Sequence, residues 1–465
     1  MKAPFMTALT TGALAGASPV ALAAESAVAE SAARPNFVII VADDAAWNDF
    51  GAYGHPHIRT PHVDRLATEG MRFTSAFLTA SQCSPTRASV LTGRYPHSTG
   101  AGDLHDPLPA GQVTVPELLS EAGYFTASAG KWHLGEPTKA KFDRVENARW
   151  TGDKYAEKGL DILRERPEEQ PFFLWLASWD PHWPYGGDGV ERRHSPDDAV
   201  VPPFIPDTPG VRTDLSMYYD EIARLDDFVG RVYAELERQG VLDNTFILFF
   251  SDNGRPFPRC KSFLYDSGIK MPFIVRYPPR AKPNSTCDGL TSAVDIAPTI
   301  LELAGVRTPR TVQGQSLLPL FADPATPGRE AAFAEHNWHA YQAHERCVRT
   351  RDFLYIRNAF PDLPGMVSRD YLHYSKGWPE IVKQHEQGKL DPKFDFYFDT
   401  ERPAEELYDL SKDPHQMTNV IADPAYAEAA NDMRARLDHW IEETNDQVPE
   451  NPKKDMFDRW TGEKL

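Results

Sequence analysis

Two short polar pairs stand where this chain could gather a cation. Asp43-Asp44 follows the apolar, β-branched run Asn36 to Val41, and Asp252-Asn253 follows the run Thr245 to Phe250. Continuous apolar runs of this length read as strands buried on both faces of a parallel sheet. If the two strands bring their ends to one edge, four hard oxygen donors converge, a set that suits Ca²⁺ or Mg²⁺ and not zinc. Taken singly, each pair is more simply a turn or a helix cap.

The segment Cys83-Ser84-Pro85-Thr86-Arg87 supplies a second chemistry. Pro85 suits the first helical position, which puts Cys83 at a helix N-terminus where free N–H groups and the dipole favour an anion. Arg87, one turn on, adds a fixed positive charge. On spacing alone, an ordinary buried thiol explains Cys83 as well.

The elements that must position these residues alternate. A third strand-like run, Pro171 to Ala177, ends before Asp180-Pro181-His182. Helical patterns cover Pro61 to Glu69, Pro85 to Leu91, Val115 to Ala122, Asp214 to Gln239 and Asp295 to Leu303. Strands alternating with helices predict an α/β fold, a large, mostly parallel sheet sandwiched by helices, with ligands gathering at the carboxyl ends of the strands. Prolines and a glycine crowd Pro319 to Arg329, which suggests a boundary. Beyond it, strand-like spacing over Arg346 to Asn358 and an amphipathic pattern over Pro424 to Thr444 predict a smaller C-terminal α+β domain. The expected organisation is a signal peptide over residues 1–24, a catalytic domain over 34–322 and the smaller domain, antiparallel sheet and helix, over 330–465.

The leader carries Lys2, an apolar run to Ala24 and a small-residue cleavage pattern, so export to a periplasm or the exterior is expected. No later stretch reaches the roughly 18 apolar residues of a membrane span. Lys+Arg 49 against Asp+Glu 67 gives a net charge of −18 over 465 residues, which argues against nucleic acid as a partner. An anionic substrate therefore needs positive charge concentrated in a pocket. Four cysteines, at 83, 260, 287 and 347, are too few for a disulfide scaffold. At most one bridge is expected if Cys83 is otherwise engaged, and Cys260 with Cys287 is one pairing open to it.

Cys83-x-Pro85-x-Arg87 followed by Leu91-Thr-Gly-Arg94 resembles the signature of the type I sulfatases of the alkaline phosphatase superfamily, with Thr86 where Ser is usual. The resemblance implies an alkaline phosphatase-like fold and conversion of Cys83 to formylglycine (3-oxoalanine) by a formylglycine-generating enzyme. It implies one calcium ion per site, held by Asp43, Asp44, Asp252, Asn253 and the modified Cys83. Gly130-Lys131-Trp132-His133-Leu134-Gly135 is similar to a second signature of the family, and in an extended segment Lys131 and His133 would project to one side. His182 and Lys261 complete the implied set, in which Arg87, Lys131, His182 and Lys261 bind the sulfate group. His182 then protonates the leaving atom, and His133 helps regenerate the aldehyde.

Ser251 to Pro258 with Lys261 and Tyr265, and Val201 to Pro209 with Arg212 to Leu215, resemble the heparan N-sulfatase (sulfamidase) branch. N-sulfoglucosamine in a sulfated saccharide is the substrate this implies. Three other readings stay open: an O-sulfatase on polysaccharide sulfate esters, a phosphate or phosphonate ester hydrolase on the same fold, and a non-catalytic glycan-binding protein in which Cys83 stays a thiol. Trp338, His339 and Tyr341 are candidates for lining a sugar pocket, though core packing accounts for most such residues.

Overall fold

The apolar runs read from the sequence become the middle of the largest sheet. The computed structural model describes residues 34–147, 154–186 and 190–465, together with Met1. The signal peptide expected over 1–24 lies outside the described residues beyond Met1. The strands are β1 (Asn36–Ala42), β2 (Met71–Phe73), β3 (Ala76–Phe77), β4 (Phe125–Gly130), β5 (Arg144–Asn147), β6 (Phe172–Ala177), β7 (Thr245–Ser251), β8 (Phe273–Arg276), β9 (Ser285–Cys287), β10 (Thr291–Ser292), β11 (Ala332–His336), β12 (Glu345–Arg349), β13 (Phe353–Asn358) and β14 (Glu405–Asp409). Eight of them form one sheet in the order β5-β4-β6-β1-β7-β8-β2-β9. Only β8 runs against its neighbours β7 and β2; the other pairings are parallel.

Alternate residues of the central strands feed two cores, as a period of two requires. Phe37, Ile39 and Val41 of β1 join one cluster, packed by residues of α2 (Cys83–Thr92), α3 (Val115–Glu121) and α6 (Ile296–Leu303). Val38, Ile40 and Ala42 join the other, packed by α1 (Pro61–Thr68), α4 (Lys154–Glu165) and α5 (Pro209–Arg238). The sheet is thus covered on both faces.

The 30-residue α5 begins five residues before the predicted Asp214. Thr208 caps it, its hydroxyl accepting the Val211 N–H at 3.2 Å, and Pro209 occupies a first position that needs no donor. Helix α2 likewise starts at Cys83, with Gln82 as its cap, so Pro85 is its third residue and not its first. The first-turn N–H groups have no intrahelical acceptor, so a proline there sacrifices nothing.

The four-stranded antiparallel sheet β11-β12-β13-β14 carries α8 (Ala427–Thr444) through Val348, Tyr355, Leu407, Met433, Leu437 and Trp440. A backbone bond from Glu335 N–H to Thr79 O (2.9 Å) ties β11 to the segment before Cys83. Pro35–Leu465 forms one compact unit. All four cysteines are buried and free, so the bridge left open between Cys260 and Cys287 does not form.

Candidate active site

Strand pairing alone brings the first polar residues together. In register, Ala42 of β1 faces Ser251 of β7, so Asp43-Asp44 and Asp252-Asn253 leave the sheet side by side. Backbone bonds continue the ladder past the strand ends: Asp252 N–H to Ala42 O (3.1 Å), Asp43 N–H to Asp180 O (3.0 Å) and Lys131 N–H to Ala177 O (2.9 Å). Asp44 then turns with φ +75°, a left-handed conformation in which aspartate is one of the few tolerated residues.

Asp43, Asp44, Asp252 and the Cys83 thiol place one ligand atom each within 4.8 Å of one another, and all four residues are buried. Cys83 Sγ lies 3.6 Å from Asp43 Oδ1, 3.9 Å from Asp44 Oδ1 and 3.3 Å from Asn253 Oδ1. Asn253 turns its amide nitrogen to Asp44 Oδ1 (2.5 Å) and Gly254 O (3.0 Å), which leaves the amide oxygen facing the cluster. A cation is matched to each carboxylate. Lys131 pairs with Asp43, Lys261 with Asp44 at 2.8 Å, and Arg87 donates from Nε to Asp252 Oδ2 at 2.8 Å. Arg87 also donates to the Lys131 carbonyl oxygen at 2.7 Å, so α2 and the end of β4 are locked together.

Three carboxylates against three cations make the cluster formally neutral. A dication that enters together with an anion therefore leaves less net buried charge than the dication would by itself. The oxygens of Asp43, Asp44, Asp252 and Asn253 fit a hard cation, whereas a thiol sulfur does not; an oxygen in place of the Cys83 sulfur would complete the set. Burial pushes the Cys83 thiol well above the usual range, with Lys131 and Lys261 acting in the opposite sense. Burial would raise Asp44 too, but Lys261, His182 and Lys131 together hold its carboxyl well below the usual range.

Two histidines frame the cluster. His182 donates from Nδ1 to the Trp183 carbonyl oxygen at 2.6 Å, which turns Nε2 inward to 3.8 Å from both Asp44 and Asp370. His133 has φ +52°, so the extended segment expected from Gly130 to Gly135 breaks there. Lys131 points into the carboxylates, while His133 Nε2 meets His105 Nδ1 at 2.5 Å. Burial, reinforced by the neighbouring Lys131 and His105, holds His133 well below the ordinary imidazole range, as a neutral base.

The cluster opens into a cavity of about 700 Å³ lined by Cys83, Lys131, His133, His182 and Lys261. Trp338 and His339 join this wall, as the sequence suggested, while Tyr341 is buried outside it beside Arg459. Sequence reasoning missed His105 and the outer wall, Arg369, Asp370 and Tyr374 of α7 (Arg369–Tyr374) with Phe457. No local pattern marks them, because the C-terminal segments reach the pocket only through tertiary folding.

The sulfatase family profile matches residues 35–306, and the C-terminal region of N-sulphoglucosamine sulphohydrolase matches 259–359. Human N-sulphoglucosamine sulphohydrolase is 32% identical over 468 residues, covering 89% of this chain and 91% of the relative. An ulvan-active sulfatase of Formosa agariphila is 28% identical over 490 residues, covering 92% and 78%. Among solved structures, a protein in complex with its substrate D-glucosamine-2-N,6-O-disulfate superposes with a TM-score of 0.71 at 23% identity, covering 90% of this chain and 100% of that one. The phosphonate monoester hydrolase of Agrobacterium radiobacter superposes with a TM-score of 0.68 at 19% identity, covering 88% and 96%. These structural matches establish a shared fold.

Proposed function

Because this chain belongs to the sulfatase family, we propose that it removes sulfate groups from sulfated saccharides, N-sulfoglucosamine foremost, at a site built on oxidised Cys83 and a bound calcium ion. The observation that carries this reading is the position of Cys83: at the N-terminus of α2, against three carboxylates and three cations, at the floor of a cavity of saccharide dimensions. The N-sulfate assignment draws on the match to the N-sulphoglucosamine sulphohydrolase C-terminal region and on the human relative.

Asp43, Asp44, Asp252 and Asn253 would hold the calcium, which would supply Lewis-acid polarisation of a sulfate oxygen. Conversion of Cys83 to formylglycine by a dedicated maturation enzyme would supply, as the hydrate, the oxygen nucleophile that a protonated thiol cannot. Lys131 and Lys261, which line the cavity, bind the sulfate oxygens and offset charge as it builds in the transition state. Arg87, predicted to join them, is fully buried against Asp252 and adds its charge from there. His182 presents Nε2 to the cavity and protonates the leaving nitrogen or oxygen. His133, neutral and fixed by His105, accepts the proton released when the enzyme is restored. Export follows from the leader pattern, Lys2 to Ala24.

Two measurements test the reading. Mass spectrometry of the Cys83 peptide from protein made in its native host should find the aldehyde or its hydrate, and an unmodified thiol throughout would defeat the mechanism. Release of sulfate should then be faster from N-sulfoglucosamine than from glucosamine 6-O-sulfate; the reverse order would make the chain an O-sulfatase.

A further inference from the structure

The loops that follow β1 and β7 separate two cavities. Their first residues, Asp43-Asp44 and Asp252-Asn253, face the catalytic cluster, whereas Trp47, Asn48 and Arg255 line a second cavity of about 510 Å³. Along the second loop, Cys260 belongs to this cavity and Lys261 to the catalytic one. The volume falls within the range of about 300–1,000 Å³ typical of small-molecule sites.

Three nitrogen donors at this cavity lack an acceptor among the described residues. Lys270 Nζ makes no hydrogen bond or ion pair and rests 3.8 Å from the centroid of the Trp47 ring. Arg255, only 4% exposed, is held by Asp49 through Nη2, while its buried Nη1 has no partner. His55 Nδ1 accepts the Ile58 N–H at 2.9 Å and the His57 N–H at 3.3 Å, so the ring proton sits on Nε2, which is buried and unpartnered.

The carboxylates nearby are already matched. Asp266 is held by Arg349 at 2.9 and 3.0 Å, and Asp49 by Arg255. One ammonium group is left over, in a chain of net charge −18. A partly buried cation without a counter-charge is unfavourable, and burial accordingly draws the Lys270 pKa down. Pro202, Pro203 and Phe204 supply the apolar part of the wall, beside the Trp47 indole. Donors and flat apolar surface line the same cavity, a combination that suits a ring that carries an anion.

We propose that this second cavity binds a sugar unit bearing a carboxylate or sulfate, with its anionic group at Lys270, Arg255 and His55 and its ring against Trp47 and Phe204. The proposal stands independently of the oxidation of Cys83 and of the substrate assigned to the catalytic cavity.

The test uses glucuronic acid, a sugar with the required charge and no sulfate to hydrolyse, and glucose as the neutral control. In ligand-observed NMR on the full chain, glucuronate should bind. Lys270→Met should weaken it at least tenfold, Lys270→Arg should retain it, and glucose should not bind. Both variants should hydrolyse an aryl sulfate at the parent rate, because Lys270 lies outside the catalytic cavity. On the parent protein, glucuronate should also slow acetylation of Lys270, a readout that needs no variant. The proposal is overturned by absence of binding up to about 10 mM, by equal binding of glucose, or by acetylation that glucuronate leaves unchanged.

Discussion

Lys261 and Asp44, 217 residues apart in sequence, meet with Nζ 2.8 Å from Oδ2 in the buried floor of the catalytic cavity. The lysine ties the loop after β7 to the carboxylates after β1, and it also lines the space where a sulfate group would sit. Under the proposed function, one side chain therefore joins the cation-binding and anion-binding halves of the site.

Replacing Lys261 by Ala should separate those roles. We expect turnover of an aryl sulfate to fall roughly 10²–10³-fold, the range for loss of one preorganised charge-stabilising donor. Without calcium, Asp44 would be left buried without its closest cation, at a cost of up to about 3–5 kcal/mol. Added calcium should recover most of the melting temperature and little of the activity. Equal recovery of both would mean that Lys261 serves stability alone.

His182→Ala should discriminate between leaving groups. Protonation by a positioned side chain contributes about 10²–10⁴-fold when the departing atom needs it. Hydrolysis of N-sulfoglucosamine should therefore suffer by that factor, whereas nitrophenyl sulfate, whose phenolate leaves unaided, should lose far less. Equal losses on the two substrates would remove His182 from the role of acid.

Gly130→Ala should damage the site without touching a charged residue. Gly130 has φ +93°, and a Cβ there would stand 1.9 Å from the Ala177 carbonyl oxygen. That backbone also accepts the Lys131 N–H at 2.9 Å. Strain and a displaced strand end should cost about 3 kcal/mol. Calorimetry should report the loss, and the surviving folded fraction should turn over substrate more slowly because Lys131 has moved.

Glu405 provides a pH signature in the C-terminal sheet. Arg434 from α8 donates to both its oxygens at 2.8 Å, and these hydrogen bonds lower its pKa to about 2 from 4.5. A depressed carboxylate contributes fully above its unfolded pKa and loses that contribution as pH falls through 4.5 towards 2. With both side chains 33% exposed, solvent screening limits the pair to about 1 kcal/mol. Glu405→Gln should lower the melting temperature at neutral pH, and the gap to the parent should close as pH drops through that window.

The central strands were legible because an unbroken apolar run such as Asn36 to Val41 has no stable place except the middle of a covered sheet. Strand β4 was not, since Phe125-Thr-Ala-Ser-Ala-Gly130 is built of small and polar residues that only neighbouring strands make into a strand. The start of α2 was misjudged by two residues for a similar reason: proline is as acceptable at the third helical position as at the first, because none of the first-turn N–H groups has an intrahelical partner.

By itself, the sequence singled out the candidates for the chemistry, because Cys83 with Pro85 and Arg87, and acidic residues directly after apolar strands, are local patterns that survive in one dimension. Only the tertiary structure decided what meets what. The register of β1 against β7 set two polar pairs side by side, the left-handed turn at His133 sent it to His105, and segments near residues 370 and 457 closed the cavity. Such contacts depend on strand order and chain reversal across hundreds of residues, and no local spacing records them.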